Sequence, residues 1–295
     1  MNSPVVSLTL LELFGHYSAE RDLCDGSKQQ FRIKLKHFSG YLKRPATLDD
    51  LNEPTVNGFL EHRLTVVGRF TVNSDRQHLI ALWNAAYDLR LVDRLPGRVK
   101  RIRRPGLVVA GWTPEQMSAL VKQCNASPGR PITGRFQGKS VDRADYWRAL
   151  ILFAYDTGLR LGDVMQIVPS TITYPEPFQV VQRKTGKPVS VAIGADTWDA
   201  VRAIGRPKAK SLFRIFSRRY FFRAFRELVE AAGLQGTFKY LRRTSGSMAE
   251  AMQAGGGSRK LGHADPTVFD RFYNVRLLTE RPPILPPRIA AEARR

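Results

Sequence analysis

Apolar residues recur at three- and four-residue spacing through residues 5–92, the period of helices with one buried face. In "SKQQFRIKLKHFSGYL" these positions are Phe31, Ile33, Leu35, Phe38 and Leu42, and "SLTLLELFGHYSAER" before it reads the same way. "TLDDLNEPTVNGFLEHRL" supplies a Thr/Asp start and a further helix after Pro54. "NSDRQHLIALWNAAYDLRLV" predicts a helix that starts at an Asn/Ser cap and carries Leu79, Leu82, Trp83, Ala86 and Leu89 on one face. An all-helical domain over residues 1–93 is expected.

The pattern breaks at "RLPGRVKRIRRPG", residues 94–106. Arg94, Arg98, Lys100, Arg101, Arg103 and Arg104 fall here without an acid, and Pro-Gly pairs stand at 96–97 and 105–106. A basic linker over 94–111 is expected, either solvated or lying along phosphates. A second domain, 112–295, opens at "WTPEQMSALV", where Thr113 caps a helix with Pro114 in its first turn. Residues 125–142 read as a polar loop. Its "GRFQGKS" has three residues between the glycines where a nucleotide-binding loop needs four, and no strand is expected to run into it.

Beyond that loop, "RADYWRALILFAYDTG" is apolar nearly all round, as a helix in the middle of a core would be. "PFQVVQRKTGKPVSVAI" holds two β-rich runs around Thr185-Gly186, a hairpin signal. "SRRYFFRAFRELVEAAG" runs from a serine cap to a glycine stop. The fold class is therefore mostly α, with a small β-hairpin in an α+β second domain.

Charge narrows the partners. Lys and Arg total 47 against 26 acids, a formal charge of +21. An excess of that size calls for a polyanion, and nucleic acid is the usual one. The longest apolar run, "ALILFAY" at 149–155, is too short to span a bilayer, so no membrane partner is expected. No cationic-then-apolar leader precedes a cleavage site, which points to a cytoplasmic, nucleoid-associated protein. Cys24 and Cys124 give neither a disulfide framework nor a zinc pattern. Four of the five histidines precede residue 79, so no histidine-rich metal site is expected in the second domain.

Strong polar residues stand where local structure does not ask for them. Arg160, in "DTGLRLGDV", lies in the tight turn behind the glycine that ends the buried helix. An arginine beside a core is costly unless an anion meets it, and Asp156 or Asp163 could also serve. Lys184 lies in the hairpin turn "QRKTGK", and Lys239, Arg242 and Arg243 open a helix in "KYLRRT". His263 follows in "KLGH", with Tyr273 ten residues beyond it.

In this order "TGLRLGD", "KTGK", "YLRRT", "LGH" and Tyr273 resemble the tyrosine recombinase (phage integrase) family, and residues 1–93 resemble its core-binding domain. The resemblance implies a site-specific recombinase acting on double-stranded DNA through a 3′-phosphotyrosyl intermediate, with no metal, ATP or other cofactor. It implies a homotetramer on two paired DNA sites, in some systems with accessory DNA-bending proteins. Arg160 and Arg242 match the phosphate-clamping arginines, Lys184 the hairpin lysine, His263 the "LGH" histidine and Tyr273 the nucleophile. Asp163 matches the acid that orients the site, and Lys239 takes a position that is usually histidine. The C-terminal arm, 274–295, is expected to pack on a neighbouring subunit, its Pro282, Pro283, Pro286 and Pro287 forbidding a continuous helix.

The chemistry of those residue types agrees. Two guanidiniums can hold the oxygens of an anionic phosphodiester bidentately as negative charge builds. A cationic pocket favours a phenolate, and an ammonium can protonate a leaving oxygen. One departure stands out: the family's tyrosine commonly lies nine residues after the histidine, where this chain has Phe272. An extra helical residue rotates a side chain by about 100°, and Ala264-Asp265-Pro266 is expected to absorb it. A DNA-binding protein of the same fold without the chemistry, a type IB topoisomerase and a telomere resolvase are the alternatives. The complete residue set argues against the first of these.

Overall fold

The computed structural model describes residues 8–103, 106, 108–126, 132–136, 139–205, 210–213 and 217–279. The chain divides into two compact units, Met1–Gly106 and Leu107–Arg295. Arg104 and the part of the arm from residue 280 onward, with its prolines, lie outside the described residues.

The first unit is helical. Thr9 and Glu12 form a reciprocal cap that opens α1 (Leu10–Glu20). Next come α2 (Asp25–Leu42), α3 (Glu53–Val66), capped by Asn52, and α4 (Arg69–Asp88). Leu13, Phe38, Phe59, Leu60, Val72 and Leu82 meet in a closed core. Each such side chain stabilises the unit by about 1.5–3 kcal/mol.

Two sequence expectations are corrected here. α4 starts at Arg69, so Asn73 and Ser74, the expected cap, lie inside the helix, as does Asp75. Asp75 is fully buried and receives Lys34 Nζ and Arg63 Nε, each at 2.8 Å. A buried carboxylate needs such partners, and helix propensity yields to that tertiary requirement. The unit also runs to Gly106 rather than ending at residue 93. Trp83 Nε1 donates to the Arg94 carbonyl at 2.7 Å, and Glu53 accepts the N–H of Arg98 at 2.6 Å. Asn57 and Arg76 bond the main chain at Arg98, Val99 and Lys100, and Asn73 donates to Ile102 O at 2.8 Å. Val99 and Ile102 are buried among the helices. Residues 94–103 are thus a docked strap, and Arg94, Arg98, Lys100, Arg101 and Arg103 are exposed along it.

The second unit opens with α5 (Pro114–Asn125), capped reciprocally by Thr113 and Gln116. Where a loop was expected, β1 (Ile132–Phe136) and β2 (Lys139–Val141) pair antiparallel. Polar and glycine residues masked the strand pattern there. The central helix α6 (Arg143–Thr157) is buried along much of its length. Its Trp147 packs on Phe221 and Phe225, and its Phe153 packs on Phe178 and Phe213.

α7 (Leu161–Val164) follows, then the antiparallel hairpin of β3 (Phe178–Val181) and β4 (Pro188–Val191). The helices α8 (Ala195–Ala203), α9 (Arg218–Ala231) and α10 (Lys239–Met252) come next. α11 (Gly256–Leu261), α12 (Pro266–Phe272) and α13 (Arg276–Thr279) end the described chain. The architecture is mostly α with small antiparallel hairpins, as the sequence predicts. No helix of the described residues is long and apolar enough to cross a membrane.

Candidate active site

Three chain turns converge on one cationic pocket. The first is the end of α6. Gly158 closes that helix in the left-handed conformation (φ 63°), which a side chain would strain. A Cβ there would also stand 2.9 Å from Leu261 and 3.2 Å from Ser245. That close approach brings Arg160 alongside α10 and α11. Its Nη1 donates to Gln182 Oε1 at 2.7 Å. Asp156 instead accepts from Gly194 N and Thr197 Oγ1, and Asp163 accepts the N–H of Arg183 at 2.9 Å. Neither acid forms an ion pair with Arg160 among the described residues.

The second turn is the start of α10, where Lys239, Arg242 and Arg243 all fall within the first turns. Cations at a helix N-terminus oppose its dipole, so this grouping is unfavourable without an anion. Arg242 is 3% exposed and donates to Gly158 O at 2.6 Å and to Leu261 O at 2.9 Å. Burial first, then repulsion from Arg160, lowers its pKa to about 10. Arg243 turns away, donating to Ala110 O at 3.1 Å. Tyr240 packs on Trp112, with ring centroids 5.2 Å apart, as a core aromatic would.

The third is the passage from α11 to Tyr273. Glu250 caps the start of α11 by accepting from Gly255 N and Gly257 N. α11 ends at Gly262, again left-handed (φ 65°), and His263 follows. Asp265 caps α12 and Pro266 opens it, so Ala264 and Asp265 form the break between the two helices. Phe269, 1% exposed, rests against Gly246 and Gly257. One turn later Tyr273 N donates to Phe269 O at 2.8 Å, and Ser247 Oγ donates to Tyr273 O at 3.2 Å. The tyrosine backbone is thereby fixed to α10.

Around its ring, Arg242 Cζ lies 5.1 Å and Lys239 Nζ 5.2 Å from the centroid, and the His263 ring is 4.7 Å away. Burial opposes ionisation of Tyr273, but Arg242, Arg160 and Lys239 together outweigh it and lower the phenol's pKa. Lys239 is exposed as a residue, yet desolvation first, then repulsion from Arg243, Arg242 and Lys184, lowers its pKa. Burial, with Arg242 and Arg160, pushes His263 down to about 4. Arg242 Nη2 approaches His263 Nε2 at 3.2 Å. An arginine can only donate, so Nε2 accepts and the neutral ring carries its proton on Nδ1.

Arg160, Lys239, Arg242, His263 and Tyr273 are therefore brought together. Lys184 is exposed on the β3–β4 turn, near enough for its charge to act on Lys239. Asp163 is buried and its charge favours the protonated form of Arg242. Asp163 Oδ2, Arg242 Nε and His263 Nδ1 are buried without a hydrogen-bond partner among the described residues. Gln182 and Lys260 border the sequence motifs "KTGK" and "LGH", which assign them no role. Lys260 Nζ donates to Asp156 O at 2.6 Å and ties α11 to the end of α6. The glutamine shows no signal in sequence beyond its closeness to Lys184.

No protein-family model matches the chain, and no curated protein matches it by sequence. Solved structures do. A lambda integrase tetramer bound to a Holliday junction matches with a TM-score of 0.71 and 18% identity, over 92% of this chain and 79% of that one. The Tn1549 transposon integrase (aa 82–397) in complex with circular intermediate DNA gives 0.66 and 14%, over 93% and 100%. The XerH site-specific recombinase bound to palindromic difH substrate, a post-cleavage complex, gives 0.68 and 13%, over 92% and 81%. This chain has the fold of the tyrosine recombinases.

Proposed function

We propose that the protein is a site-specific DNA recombinase that cuts and rejoins strands through Tyr273. The observation that carries this reading is the phenol of Tyr273 set among Arg160, Arg242 and Lys239, whose charges favour its ionisation. Tyr273 Oη attacks the phosphorus of a phosphodiester, the P–O5′ bond breaks, and a 3′-phosphotyrosyl linkage forms. Arg160 and Arg242 hold the non-bridging oxygens as their charge grows. Lys184 gives the departing O5′ a proton. His263, neutral in the free protein, adds hydrogen-bonding capacity without a further positive charge. Lys239 biases Tyr273 toward phenolate, and Asp163, which accepts the Arg183 N–H beside the lysine turn, orients the site. Attack by a 5′-hydroxyl of a second duplex reverses the step, and the covalent linkage retains the bond's energy, so rejoining needs no nucleotide hydrolysis.

The +21 charge and the exposed strap of Arg94, Arg98, Lys100, Arg101 and Arg103 supply phosphate contacts, with Arg104 continuing the same basic run. The similar lambda integrase is a tetramer on a Holliday junction, and a homotetramer on two paired sites is proposed here, joined by the arm beyond residue 274. The test is strand exchange. A binding site is selected from random duplexes, and two copies on DNAs of different length are mixed with the protein. Recombinant-length products are expected. Relaxation of supercoils without exchanged products would instead identify a type IB topoisomerase.

A further inference from the structure

Gln182 lies just after β3, 1% exposed, and no step above uses it. Both ends of its side-chain amide are engaged. Oε1 accepts from Arg160 Nη1 at 2.7 Å, and Nε2 donates to Leu261 O at 3.1 Å. That same Leu261 carbonyl accepts from Arg242 Nη2 at 2.9 Å. The two arginines are thus joined through one amide and one carbonyl. Gln182 also builds the lysine turn: its carbonyl accepts the N–H groups of Thr185 and Gly186, and its own N–H donates to Lys187 O at 2.9 Å. Thr185 Oγ1 donates to Oε1 at 3.2 Å.

We infer that Gln182 is a positioning residue that fixes Arg160 relative to Arg242 and to the turn bearing Lys184, and that a neutral amide is required there. The inference rests on the strand-cleavage reading. The amide offers an acceptor to the guanidinium and, at the same time, a donor to the carbonyl. Glutamate would present only acceptors, set lone pairs against Leu261 O and neutralise Arg160. Leucine would release Arg160 and leave a buried carbonyl with one partner fewer. Arg160 and Arg242 repel each other, so an untied Arg160 moves away from the position in which both can hold one phosphate.

The test compares single-turnover trapping of the covalent complex on nicked DNA by wild type, Gln182→Leu and Gln182→Glu. Both variants should bind DNA like wild type and trap about 10- to 100-fold more slowly, the loss expected of a misplaced group. A scissile methylphosphonate is uncharged and makes less demand on paired guanidiniums. On it the penalty, relative to wild type on the same DNA, should shrink to about threefold or less. Without DNA, the Tyr273 phenol of Gln182→Glu should ionise at higher pH than in wild type, read by absorbance against each protein's Tyr273→Phe counterpart. The isosteric Gln182→Glu keeps the comparison available if Gln182→Leu does not fold. Equal penalties on the two DNAs, or a Tyr273 titration unmoved in Gln182→Glu, overturn the inference. A wild type that traps nothing overturns the strand-cleavage reading instead, and the titration then decides the role of Gln182 alone.

Discussion

Arg242 holds its guanidinium carbon 5.1 Å from the centre of the Tyr273 ring while donating to the carbonyls of Gly158 and Leu261. One side chain therefore joins the ends of α6 and α11 and also electrostatically favours the phenolate. The Arg160 guanidinium, by contrast, bonds only the Gln182 side chain among the described residues. The two arginines share a proposed role toward phosphate and differ in their structural one.

That difference is measurable. Arg242→Ala should lower stability by about 2 kcal/mol or more, because buried carbonyls lose their donor, and should slow cleavage by about 100-fold or more. Arg160→Ala should slow cleavage to a similar extent and leave the thermal midpoint nearly unchanged. Arg243→Ala, whose guanidinium faces Ala110 O, should retain cleavage within about threefold of wild type. Melting curves and covalent trapping check all three.

His263 supplies a pH signature. Its folded pKa of about 4 lies below the ordinary value of 6.5, so the unfolded chain binds this proton first as pH falls. Stability from this group is complete above pH 6.5, is lost between 6.5 and 4, and changes no further below that. His263→Asn should flatten that part of the stability profile. Denaturant unfolding between pH 4 and 7 is the measurement, and an imidazole NMR titration with a midpoint near 6.5 would contradict it.

Lys184 is assigned as the acid for the leaving oxygen, and sulfur separates that role from phosphate binding. A 5′-bridging phosphorothiolate leaves without a proton, so it should restore cleavage by Lys184→Ala and not by Arg160→Ala. Rescue of Lys239→Ala in place of Lys184→Ala would move the acid to Lys239.

The docked strap makes a separate prediction about affinity. Replacing Arg101 and Arg103 together with alanine should weaken binding about equally on all sequences and reduce the slope of log affinity against log salt by about 2. Asn73→Leu removes the bond to Ile102 O that holds the strap, and should weaken binding with little change in that slope. Filter binding across a salt series distinguishes the two.

Much of this was legible in sequence because it is local. Thr113, Pro114, Gly158 and Ser217 mark helix ends by their own chemistry, and the structure places those ends there. Asp265-Pro266 likewise marks the start of α12, the short helix that ends at Tyr273. What escaped was non-local. Asp75 has the residue type of a cap, yet its partners come from α2 and α3. The strap reads as a tether because it meets the helices through its main chain and two apolar side chains, Val99 and Ile102, and not through a periodic apolar pattern. Gln182 gains its meaning from Arg160, 22 residues before it, and Leu261, 79 after it.

The central claim is that Tyr273 becomes joined to DNA. A duplex carrying the selected site, nicked just 3′ of the scissile phosphate so that the freed fragment diffuses away, should trap a covalent complex. Protease digestion and mass spectrometry should place the nucleotide adduct on Tyr273, and Tyr273→Phe should bind the same DNA and trap none. An adduct on Tyr240, or trapping that persists in Tyr273→Phe, would contradict the account.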